Sequence, residues 1–68
     1  MKLVEFFKYL KPTEVISIAD DAGWLVVRPV QYQNLKYSSV SNSLNANVIQ
    51  VYYDNEDESL TITITFDD

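Results

Sequence analysis

Carboxylates dominate the chemistry open to this chain. Asp54, Glu56, Asp57 and Glu58 crowd one short run broken only by Asn55, and Asp20 and Asp21 form a second pair. Clustered oxygen ligands suit calcium, but a calcium loop bends round its ion at a glycine and closes on a glutamate. The positions that would carry them hold Ser59 and Thr65. Histidine and cysteine are absent, which removes the commonest metal ligand, the base that titrates near neutral pH, thiolate metal sites and disulfides. The bases that remain are carboxylates, lysine and tyrosine, in no recognisable pairing of nucleophile with base. One glycine cannot build a phosphate-cradling loop. Two carboxylates could hydrolyse a glycoside, but a chain of 68 residues offers no deep cleft for a sugar. The expectation is a protein that is not an enzyme and takes no metal or cofactor.

Binding is the chemistry left. Ten Asp and Glu against five Lys and Arg give a net charge of −5, which repels phosphate backbones and argues against direct nucleic-acid binding. The same charge favours a basic protein partner. The candidate contact residues are therefore Asp20, Asp21, Asp54, Glu56, Asp57 and Glu58, joined by Trp24, a lone tryptophan beside a turn that could serve as an anchor, and Tyr52. A plainer role for the acidic run also fits. Leu60 to Phe66 is uncharged and strongly β-prone, and carboxylates flank it on both sides, with Asp67 and Asp68 beyond, as guards against aggregation.

The elements that must position these residues follow from periodicity. Leu3, Phe6, Phe7 and Leu10 share one helical face, Lys2, Glu5 and Tyr9 lie opposite, and Pro12 ends the helix. Residues 14 to 19 alternate as a strand, with Ile16 and Ile18 on one face. Asp20 to Gly23 forms a turn in which Gly23 supplies the positive φ a hairpin needs. Trp24 to Arg28 returns as a second strand, closed by Pro29. Residues 31 to 46 fit a short helix, capped by Asn34 and carrying Tyr37, Val40 and Leu44 on one face, or equally a structured loop, because six Ser and Asn residues between Ser38 and Asn45 are poor helix interiors. This stretch is the expected seat of mobility. Val48 to Tyr53 is β-branched and aromatic. Leu60, Ile62, Ile64 and Phe66 alternate with Thr61, Thr63 and Thr65, which demands one buried and one solvated face.

These readings give a single α+β domain over residues 1–68, an N-terminal helix packed on one face of a four-stranded, mainly antiparallel sheet. Its order is α, β, β, a short helix or loop, β, β. The covered side is expected to carry Ile16, Ile18, Ile49, Val51, Leu60, Ile62 and Ile64. The open side is expected to show Ser17, Val48, Gln50, Tyr52, Thr61, Thr63 and Thr65. That open side is uncharged and suits protein contact, self-association included. No apolar run is long enough to span a membrane, and Glu5, Lys8 and Lys11 interrupt any signal-peptide core, so the expected location is the cytoplasm.

The layout resembles that of small uncharacterised proteins encoded by phages and prophages of Gram-positive bacteria. It shares the starting helix (Leu3 to Leu10), Pro12, a strand with Ile16 and Ile18, the Asp20 to Gly23 turn and a strand with Leu25. The closing pair, with Val48, Ile49 and Val51, an acidic turn, then Leu60, Ile62 and Ile64, completes it. The Ser/Asn-rich stretch from Tyr37 to Asn45 departs from the pattern. The resemblance implies an accessory protein of the host cytoplasm. Its function would be to inhibit a basic, nucleic-acid-binding host protein, as anti-CRISPR proteins do, with its carboxylates standing in for phosphates. The alternative is a self-associating module that uses the Thr/Tyr face.

Overall fold

Stretches rich in β-branched residues become the strands β1 (Val15–Asp20), β2 (Leu25–Gln31), β3 (Asn47–Asp54) and β4 (Ser59–Thr65), and the computed structural model describes residues 1–66. The expected Asp67 and Asp68 guards lie outside the described residues. The strands form one sheet in the order β2-β1-β4-β3. Each outer pair is an antiparallel hairpin, and the inner pair, β1 and β4, runs parallel. This is the expected α+β class. The two hairpins are laid side by side, so the strands nearest each other in the middle come from opposite ends of the chain.

Register sorts the side chains. One face carries the rows Val30–Ile16–Leu60–Tyr53 and Val27–Ile18–Ile62–Val51, then Ile64 beside Val48. Ile16, Ile18, Ile62 and Ile64 are fully buried there, each stabilising the fold by about 1.5–3 kcal/mol. The opposite face carries Gln31–Val15–Ser59–Asp54, Ser17–Thr61–Tyr52 and Leu25–Ala19–Thr63–Gln50. One expectation is corrected. Between Val48 and Gln50, β3 spends two residues against one step of β4. This bulge returns Val48 to the core face and leaves Ile49 55% exposed.

The two edge strands differ. β2 carries extra residues in both halves of its pairing with β1, and Arg28 and Pro29 fall in the first of these irregular stretches. Pro29 therefore does not close the strand, as expected from sequence; β2 runs through it to Gln31. An edge strand tolerates proline because no ladder needs its missing N–H, and charge, proline and bulges together discourage a further strand from pairing.

The second layer is built from both remaining segments. The opening helix is shorter than its periodicity suggests: α1 spans Leu3–Phe6 and tightens into a 3-10 turn over Phe7–Tyr9. Leu3 is fully buried, and Phe6, Phe7 and Leu10 pack against the core half-buried. The carboxylate of Glu5 accepts the Lys2 backbone N–H at 3.0 Å, holding the first turn. Residues 32–46 form the crossover that carries the chain from the β2 edge to the β3 edge, a span of about 14 Å at ~4.8 Å per strand. It contains a 3-10 turn (Tyr32–Asn34) and one helical turn, α2 (Tyr37–Val40). Asn34 does not cap α2. It ends the 3-10 turn, and its amide donates to Gln31 Oε1 at 3.3 Å. The crossover is anchored, since Val40, Ser43 and Ala46 are buried, and backbone bonds from Ser43 to Val40 and from Ala46 to Ser43 wind the polar stretch inward.

Candidate binding edge and acidic turns

The β1–β2 turn is organised by Asp20. Its Oδ1 accepts the backbone N–H of Ala22 at 3.0 Å and of Trp24 at 2.9 Å, an arrangement to which aspartate is suited because its short side chain reaches its own turn. Gly23 follows at φ +91°, as the sequence requires. Asp21 Oδ2 accepts the Thr65 hydroxyl at 3.0 Å, tying this turn to the far end of β4. Trp24, 75% exposed, therefore stands at the same end of the sheet as Phe66.

The second acidic turn is built likewise. Asp54 Oδ1 accepts the N–H groups of Glu56 and Asp57 at 2.9 and 3.4 Å. Glu58 completes the reversal at φ +50°, a left-handed conformation costly for a residue with a Cβ. Both Asp20 and Asp54 thus spend an oxygen on their own backbone. Glu56, Asp57 and Glu58 are exposed to solvent, as is Asp21 apart from the oxygen it gives to Thr65.

Topology separates the two turns. Val15 stands opposite Ser59 and Asp20 opposite Ile64 in the parallel pair, so the Asp20 turn lies at one end of the sheet and the Asp54 turn at the other. The length of β4 puts about 20 Å between them at ~3.3 Å per residue. The candidate residues accordingly form two groups: Asp20, Asp21 and Trp24 at one end, and Asp54, Glu56, Asp57 and Glu58 at the other. Tyr52 belongs with the second group, only two residues before Asp54 on β3. Among the described residues no three acidic side chains converge so as to hold a metal ion.

The open sheet face is quieter than its composition suggests. Ser17 is buried, and its hydroxyl lies 3.2 Å from that of Thr61, so the centre of this face satisfies its polar groups internally. No described buried side-chain nitrogen or oxygen lacks a hydrogen-bond partner.

What sequence reasoning missed is the edge of β3. Ile49, Val51, Tyr52 and Tyr53 are all between 41% and 59% exposed, although Val51 and Tyr53 point to the same side as the core. The helical layer stops short of them: it reaches β3 only at its start, where Lys2 bridges Asn47 in antiparallel fashion. There the Val48 N–H donates to Met1 O at 2.7 Å and the Leu3 N–H to Ala46 O at 2.9 Å. The first residues of the chain thus already lie along this edge as a short added strand, and beyond Val48 no described residue pairs with it. From Ile49 to Tyr53 it has no proline, lysine or other charge, unlike β2, and it runs straight into the acidic turn. The apolar pair Val48-Ile49 followed by Gln50 and Val51 was the signal for the bulge; nothing local marked β3 as an edge.

No protein-family model, curated protein or solved structure matches the chain.

Proposed function

We propose that this chain is a non-enzymatic protein-binding domain that adds an extended, basic segment of a partner protein to the open edge of β3. The observation that carries this reading is the pairing of Met1–Leu3 along the start of that edge. The strand accepts a backbone partner in cis and then continues unprotected. Edge addition supplies affinity through main-chain hydrogen bonds and selectivity through alternate side chains. Here Val51 and Tyr53 would meet the partner on one face, and Gln50 and Tyr52 on the other.

Charge sets the partner's chemistry. The edge ends at Asp54, Glu56, Asp57 and Glu58, so a lysine or arginine on the incoming segment beside that turn gains attraction and a faster encounter. A small phage accessory protein that occupies a basic host protein would use this combination. Its second acidic turn, some 20 Å away, would touch a separate site or none.

The test is calorimetric titration with a synthetic hexapeptide of alternating valine and threonine ending in two lysines. The expected dissociation constant is on the order of 100 μM at low salt, weakening at high salt as screening removes the charge contribution. The same peptide ending in two glutamates should bind at least ~tenfold more weakly. Equal binding of both peptides, or retention of binding by the Val51→Lys variant, would refute the reading. Concentration-dependent dimers that exclude the peptide would instead favour self-association.

A further inference from the structure

Two grooves on the helical side of the sheet meet at Leu35. One, of about 290 Å³, has Val27, Val30 and Leu35 in its lining together with Arg28, Asn34 and Lys36. The other, of about 240 Å³, is apolar, lined by Phe7, Tyr32, Leu35, Val40 and Leu44 with the exposed Tyr37 ring beside them. Phe7 and Tyr32 pack with ring centroids 5.4 Å apart and form one wall.

The charge of the first groove is opposite to that of the rest of the molecule. The chain carries ten carboxylates and five cations; two of those cations line the first groove, and no carboxylate lines either one. Among the described residues neither the Arg28 nor the Lys36 side chain makes an ion pair or hydrogen bond. Arg28 has a role as a guard on the β2 edge, but Lys36 lies in the crossover and guards no edge. A pair of unengaged cations beside an apolar trough is complementary to one ligand chemistry, an anionic head on an apolar tail. The guanidinium fork matches a carboxylate, and the trough matches an unbranched chain of several carbons. Each space lies near the lower end of the range of small-molecule sites.

We propose that these adjoining grooves form a binding site for a free medium-chain carboxylate, the head held by Arg28 and Lys36 and the tail lying over Leu35 towards Phe7, Val40 and Leu44. This site is separate from the β3 edge and stands or falls independently of it.

Methyl and amide NMR spectra of the full chain, titrated with octanoate, test the assignment. Saturable shifts are expected at Val27, Val30, Leu35, Val40 and Leu44, with a dissociation constant on the order of 1 mM, as fits so small a ligand. Octanamide, which keeps the tail and loses the charge, should bind ~tenfold more weakly, and acetate, which keeps only the head, should leave the apolar groove unshifted. The double variant Arg28→Gln, Lys36→Gln changes two exposed side chains and should keep the native spectrum while losing ~tenfold in octanoate affinity. Equal binding of octanoate and octanamide, full affinity in the double variant, or shifts that never saturate would each overturn the proposal. A second arm uses vesicles of anionic phospholipid. The chain is expected to remain in the supernatant; co-sedimentation that the double variant abolishes would place the anion in a bilayer and overturn the free-ligand assignment.

Discussion

Ile62 and Val51 are neighbours in one row of the sheet, yet truncating them should have very different costs. Ile62 is fully buried between Ile18 and Val51. Ile62→Ala deletes three carbons, worth about 2.4 kcal/mol at ~0.8 kcal/mol each. The void they leave, roughly 70 Å³ at ~24 cal/mol per Å³, adds about 1.7 kcal/mol. The total of about 4 kcal/mol is a large part of the ~3–10 kcal/mol expected for a chain this long. Val51 is 41% exposed because the helical layer does not reach it. Val51→Ala deletes two carbons that are already part-solvated and encloses no cavity, so its cost is about 1 kcal/mol, a fall in Tm of roughly 4–8 °C. Urea unfolding followed by far-ultraviolet circular dichroism measures both, since Trp24 stands in solvent and reports the core poorly. Equal losses for the two variants would refute the claim that the core covers the start of β3 at Val48 and leaves the rest of that strand as a shelf.

Other consequences follow from the turns. Glu58→Gly should stabilise by about 1 kcal/mol, because glycine adopts φ +50° without the steric cost a Cβ brings; chemical denaturation measures it. Asp20→Ala should cost about 1–2 kcal/mol by the same method, as two backbone N–H groups lose their acceptor. Trp24→Ala should change stability by no more than ~0.5 kcal/mol, as is usual for surface substitutions, and the native fluorescence should already be red-shifted and readily quenched by iodide, given the indole's 75% exposure.

Much of the sheet was legible in the sequence because strict alternation leaves little choice. Leu60, Ile62 and Ile64 could bury only one face, and Gly23 could serve only a turn. The bulge at Ile49 was harder to read, since a period of two predicts faces only while no residue is added. The parallel pairing of β1 with β4 was not readable at all. It is a long-range choice made by the crossover, and it alone puts the two acidic turns at opposite ends. The crossover was underestimated for a related reason: Ser and Asn are poor helix formers, but Val40, Ser43 and Ala46 needed only a turn each to reach the core. The two acidic turns that carry most of the candidate residues were therefore legible in the sequence, while their placement at opposite ends and the β3 edge emerged only from topology.

Amide hydrogen exchange along β3 tests the central claim most directly. With the lysine-ended strand peptide present, the slowest gains in protection should concentrate between Ile49 and Asp54, leaving β2 unchanged. If protection instead rises along β2, or nowhere on β3, the open edge is not where this protein meets its partner.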